Sequence, residues 1–234
     1  ANIQHRKGAQ DAKRAKQFTK VLREISSAVK MGAGVVDPNF NPRLRLAMDK
    51  AFDINMPKDN VERAIKKAAG GDDGVQMDEI RYEGYGAAGV AVVIDALTDN
   101  RTRTIADVRH AFTKCGGNVG TDGSVAFMFS RSGVLWFAPE VNGDSVLEVA
   151  LDAGADDVIN HEDGSTEVLT TPEQYAAVTA ALLAAKLVPA DSEVTMRPAN
   201  TVAVVGDTAK AITKLIDMLE DLDDVQAVYH NAEL

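Results

Sequence analysis

Eight basic side chains stand close together near the start of the chain: Arg6, Lys7, Lys13, Arg14, Lys16, Lys20, Arg23 and Lys30. Only Asp11 and Glu24 oppose them within residues 1–34, although the whole chain carries a formal net charge of −10. Cations at this density bind anions, above all the phosphates of nucleic acid, and no bond has to be made or broken. Their spacing supports that chemistry. At ~100° per residue, Lys13, Lys16, Lys20, Arg23, Ser27 and Lys30 share one side of a helix, while Phe18, Val21, Leu22, Ile25 and Val29 share the other. Arg14 falls nearer the apolar edge. The eight cations are the candidate nucleic-acid-binding residues.

A second candidate anion contact is the pair Arg101 and Arg103, at a strand-to-helix junction where guanidinium groups and a helix N-terminus can act together. The same pattern also fits a helix capped by Asn100 or Thr102 with both arginines solvated. Two glycine-rich stretches could cradle phosphate in another context. Gly84, Gly86 and Gly89 match a dinucleotide fingerprint, but a β run follows them where a helix is required, so a turn between strands is expected. The stretch 116–123 lacks the Gly-Lys-Ser/Thr of a P-loop and leads from helix to strand, the reverse of the phosphate-binding order. His5, His110, His161 and His230 are scattered without metal-ligand spacing, and no Ser/His/Asp set can be assembled. The expectation is a protein that is not an enzyme, with no catalytic residue, no metal and no cofactor.

Charge is partitioned along the chain. Residues 1–70 hold 15 Lys and Arg against 7 Asp and Glu; the remainder holds 10 against 28. Opposite signs suggest separate domains, the basic one facing nucleic acid and the acidic ones available to a protein partner. The single Cys115 fits a reducing compartment, and no apolar run reaches the ~20 residues of a membrane helix. A cytoplasmic location without membrane contact is therefore expected.

The elements that must position these residues read as follows. Three amphipathic helices are expected over about 10–31, from Asn41 and Pro42, and from Pro57 to Lys67, with glycines after the first and the third. Strands follow at 80–85, 90–96 and 124–130, with a helix from Asn100 to Lys114. From Val134 the order becomes strand, helix, strand, strand, helix, strand, a ferredoxin-like unit. One strand, a helix over 207–222 and a final strand complete the chain. The fold class is α+β: an N-terminal three-helix domain (1–74), a discontinuous α+β domain (75–132 plus 201–234), and a ferredoxin-like α+β domain (133–200) inserted in it. No pair of helices reads as a helix-turn-helix with a short turn.

Residues 1–25, 41–51, 55–67, 79–86, 97–104 and 114–127 resemble the YebC/PmpR family, a family of bacterial transcriptional regulators that includes mitochondrial translational activators. The resemblance implies three domains, the third inserted in the second. It implies nucleic-acid binding and regulation of gene expression without catalysis or cofactor, through either promoter DNA or the ribosome. Thr102 departs from the family, which has a second Asn there.

The run of glycine and aspartate at 70–74 has little to bury. Limited proteolysis is expected to cut there first and leave an acidic fragment beginning near Val75. A first stable fragment ending within 80–130 would move the boundary.

Overall fold

The computed structural model describes residues 2–71 and 76–234, with side chains from residue 14 onward. The side chains of His5, Arg6, Lys7 and Lys13 and the expected boundary at 74/75 lie outside the described residues. The chain divides into two compact units, Ala1–Val125 with Val202–Leu234, and Ala126–Thr201.

Helix α1 (Asn2–Met31) is longer than its apolar periodicity suggests and ends where Gly34 turns with φ +80°. Asn41 then does two jobs. Its carboxamide oxygen accepts from Leu44 N at 3.1 Å and caps α2 (Pro42–Asp53), while Nδ2 donates to the Ala28 and Val35 carbonyls at 2.9 and 3.0 Å. The start of α2 is thereby fastened to the end of α1. Helix α3 (Lys58–Ala69) follows Pro57. Val21, Ile25 and Val29 meet Leu44, Ala47, Ala51 and Val61 in one buried core, with Phe18 and Leu22 at its margin. The apolar side inferred for α1 is the side that is buried.

The chain continues through β1 (Asp78–Tyr85), β2 (Ala91–Thr98), α4 (Arg101–Lys114) and β3 (Asn118–Val119). Residues 126–201 hold β4 (Phe129–Phe137), α5 (Gly143–Asp152), β5 (Asp157–Asn160), β6 (Thr166–Thr170), α6 (Tyr175–Ala184) and β7 (Asp191–Pro198). After them come β8 (Val202–Ala203), α7 (Gly206–Glu220), β9 (Val225–His230) and β10 (Ala232–Glu233). In the first unit the strand order is β3-β1-β2-β9, and the pairings are antiparallel. Phe112 of α4 and Ile212, Leu215 and Leu219 of α7 pack with Val92 and Ile94 of the central strand. In the second unit the order is β5-β6-β4-β7, again antiparallel, with Val146 and Ala150 of α5 and Val178 and Leu182 of α6 packed on Leu135, Phe137 and Val168. The fold is α+β, with N-terminal helices and two sheet-containing regions.

Two boundaries differ from the sequence reading. Instead of separate strands at 124–130 and 134–138, a short 3-10 turn (Ala126–Met128) leads into one continuous strand, β4. Its polar middle, Ser130 to Gly133, shows no apolar alternation, but β7 pairs with it unbroken from Phe129↔Pro198 to Trp136↔Asp191. Pairing, not side-chain pattern, makes it a strand. The strand expected from Thr201 shrinks to Val202–Ala203, paired in parallel with β10.

Both glycine-rich stretches are structural. Gly84, Gly86 and Gly89 flank the turn from β1 to β2, as expected. In the second stretch Gly116 follows α4 with φ +75° and open space around it, whereas a Cβ on Gly117 would sit 2.4 Å from the Tyr85 carbonyl oxygen. The loop is held by the buried Glu83 carboxylate, which accepts from Gly123 N at 2.5 Å and Val125 N at 3.0 Å. Gly117→Ala is expected to cost about 3 kcal/mol, because backbone must move. Gly116→Ala should cost only about 1 kcal/mol, the left-handed penalty alone. Urea denaturation of the two variants measures both, and equal losses would contradict the packing account.

Candidate nucleic-acid interface

The basic side of α1 does not stand open along its length. α7 ends at Glu220, where backbone carbonyls lack intrahelical partners and carry the negative end of the helix dipole. Three α1 cations meet that end. Lys16 Nζ donates to Asp221 Oδ1 at 2.5 Å and to the Asp221 carbonyl at 3.4 Å. Lys20 Nζ donates to the Glu220 carbonyl. Arg23 Nη1 donates to the Asp223 carbonyl at 3.1 Å and to Asp224 Oδ1 at 2.8 Å. Burial lowers the Lys20 ammonium pKa; Glu220, Asp223 and Asp221 oppose that shift without cancelling it.

Exposure decides which of these contacts matters energetically. The Asp221 side chain is 70% exposed, so its pair with Lys16 contributes at most about 1 kcal/mol. The Asp224 side chain is 6% exposed and receives three donors: Arg23, the Arg103 guanidinium at 2.9–3.1 Å and the Thr104 hydroxyl at 2.9 Å. Burial pushes the Asp224 carboxyl up, but the hydrogen bonds from Arg103, Arg23 and Thr104 outweigh it and hold the carboxyl below its ordinary value.

Arg101 and Arg103 both meet carboxylates. Asn100 caps α4 by accepting from Arg103 N at 3.0 Å. Arg101 Nε donates to Asp78 at 2.8 Å, and Arg103 bridges Asp99, at 2.7 Å, and Asp224. Of the remaining candidates, Arg14 is exposed, lies over the Phe18 ring at 5.4 Å and reaches the Asn55 carbonyl at 3.4 Å. Lys30 lines a cleft between α1 and α3. The structure thus gathers Lys16, Lys20, Arg23 and Arg103 at one acidic turn, which no local pattern could reveal.

Sequence reasoning passed over two further cations. Arg63 and Lys67 are one helical turn apart on α3, both exposed and both on that cleft. Their i, i+4 spacing beside Asn60 was the available signal. Only residues 54–57 separate α2 from α3, and the left-handed position in that connection is Asn55, at φ +56°, rather than a glycine. His161 lies 3.3 Å from Glu167 and beside the Trp136 ring at 4.9 Å. Among the described residues no group of His, Cys, Asp and Glu could hold a metal ion, and no helix is long and apolar enough to cross a membrane.

Removing the Asp224 charge leaves two guanidinium groups facing a buried amide. Asp224→Asn is expected to cost roughly 3 kcal/mol, the low end for breaking a buried pair, because both arginines stay partly solvated. A carboxyl depressed on folding stabilises above its unfolded pKa of about 3.9 and loses that contribution as pH falls through the folded value. The stability gap between wild type and Asp224→Asn should therefore narrow below about pH 4 in urea titrations. A gap constant down to pH 2 would contradict the assignment.

The chain matches two family descriptions that together span nearly its whole length: the TACO1/YebC protein N-terminal domain over residues 1–71, and the TACO1/YebC second and third domain over residues 77–232. A "probable transcriptional regulatory protein" of Acidovorax sp. (strain JS42) is 58% identical over 234 residues, covering all of this chain and 97% of the relative. One of the same description from Xanthomonas axonopodis pv. citri (strain 306) is 59% identical over 233 residues, covering 99% of this chain and 96% of the relative. The crystal structure of a conserved hypothetical protein from Aquifex aeolicus superposes with a TM-score of 0.79 at 44% identity, over 95% of this chain and 91% of that one. The chain belongs to the TACO1/YebC family, and the two relatives named above carry the description of probable transcriptional regulatory proteins.

Proposed function

We propose that this protein regulates transcription by binding DNA through its basic helical region, without catalysis. The observation that carries the reading is the match to transcriptional regulatory proteins along the whole chain, joined to a basic first region on an acidic protein. The proposed phosphate contacts on α1 are Arg6, Lys7, Lys13, Arg14, Lys16, Lys20, Arg23 and Lys30. Lys16, Lys20 and Arg23 reach phosphate only by leaving residues 220–224, and Arg101 and Arg103 only by leaving Asp78, Asp99 and Asp224. The three-domain division belongs to the same proposal, with a ferredoxin-like third domain supported by the strand order β5-β6-β4-β7. The acidic domains are the surface proposed for a protein partner.

Fluorescence anisotropy of the full chain with a labelled promoter duplex tests the reading. Binding is expected to weaken with salt, each phosphate contact adding about 0.9 to the log–log slope. Replacing Lys13 and Arg14 with Ala should flatten the slope by roughly 1.8 if both touch phosphate. Absence of duplex binding, together with co-sedimentation with ribosomes at physiological salt, would replace promoter DNA by ribosomal RNA as the target.

A further inference from the structure

We propose that the cleft between α1 and α3 is a dedicated phosphate-binding site that takes the phosphodiester backbone of duplex DNA, with Arg63 and Lys67 as its anchoring cations. This rests on the DNA-binding reading above and gives that reading a location. The cleft has a volume of about 570 Å³, within the range of natural ligand sites. Lys30 lines it from α1, Arg63 and Lys67 from α3, and Ser26 and Asn60 add polar groups suited to phosphate oxygens. Among the described residues the carboxylate on its wall is Asp99, which is already bonded to Arg103 at 2.7 Å.

Position as well as pairing distinguishes Arg63 and Lys67: among the described residues Arg45, Lys66, Arg109 and Lys114 also stand without a carboxylate, but they do not line the cleft. Lys16, Arg23, Arg43, Lys50, Lys58, Arg81, Arg101 and Arg103 each find a carboxylate within the chain. Among the described residues, Arg63 and Lys67 have no such partner, although acidic residues outnumber basic ones in this protein. Two like charges one turn apart repel each other slightly and gain nothing from folding. An anion in the cleft would reverse that sign. Arg63 is also pre-oriented: its Nε donates to the Asp59 carbonyl at 3.3 Å and one Nη to Asn60 Oδ1 at 2.8 Å. The guanidinium is thus held by neutral acceptors, which leaves its charge uncompensated and its remaining N–H groups available for a phosphate oxygen.

The test uses the full chain and a labelled 30-base-pair duplex, with anisotropy measured across a salt series. The Arg63→Gln/Lys67→Gln variant should bind more weakly, with a log–log slope lower by about 1.8. Its thermal melt should match the wild type, since both side chains are exposed. Arg63→Lys/Lys67→Arg should keep the wild-type slope, and Lys58→Gln, a charge change on the same helix away from the cleft, should leave binding unchanged. An unaltered slope in Arg63→Gln/Lys67→Gln, with wild type binding normally, overturns the cleft while sparing the DNA-binding reading. An equal loss in Lys58→Gln also overturns it, because general charge would then be the cause. Failure of the wild type to bind duplex overturns both. Saturable binding of inorganic phosphate or AMP that depends on Arg63 and Lys67, without duplex binding, would make the cleft a small-anion site and overturn its assignment to DNA.

Discussion

One buried carboxylate ties together parts of the chain that are far apart in sequence. Asp224 is joined by its carbonyl to Leu97 N at 2.7 Å, which extends the pairing of β2 beyond β9. Its side chain gathers Arg103 and Thr104 from α4 and Arg23 from α1. A carboxylate this buried must be compensated, and two arginines with a hydroxyl do so. The consequence is architectural: α1 is bonded to the start of β9 and to α4 through a single group, and Lys16 and Lys20 follow the same alignment along the end of α7.

That arrangement divides the basic surface into two classes. Lys16, Lys20 and Arg23 serve the chain itself, closing the negative end of α7 as a bound cation would. Their contacts are unequal. The Lys16–Asp221 pair is solvated and readily screened, whereas the Arg23–Asp224 pair is partly buried and is screened much less. Any phosphate that approaches this side of α1 competes with carboxylates already in place. Arg63 and Lys67, on α3, have no carboxylate partner among the described residues, so an anion in the cleft proposed above would not have to displace one from them.

The glycines show why a motif needs its context. A run that resembles a phosphate cradle is here a packing device: Gly117 must be bare because Tyr85 backbone passes against it, and Glu83 uses its carboxylate to hold the loop. A carboxylate at the centre of a loop repels the phosphate that such a loop would otherwise receive.

Much of the architecture is local and therefore legible in sequence. The apolar side of α1, the cap at Asn41, Pro at the first position of α2 and the turn from β1 to β2 each depend on residues within a few positions of one another. The concentration of cations in the first 30 residues is equally plain, and with it the general chemistry of the region. What those cations touch was not legible. Arg23 and Asp224 are about two hundred residues apart, and nothing in the spacing of either reports the other. The same holds for β4, a strand because β7 lies beside it, and for Arg63 and Lys67, which share a cleft with Lys30 only because α3 packs beside α1. Periodicity records which face of an element is buried; only the packed chain decides which charge each exposed face will meet.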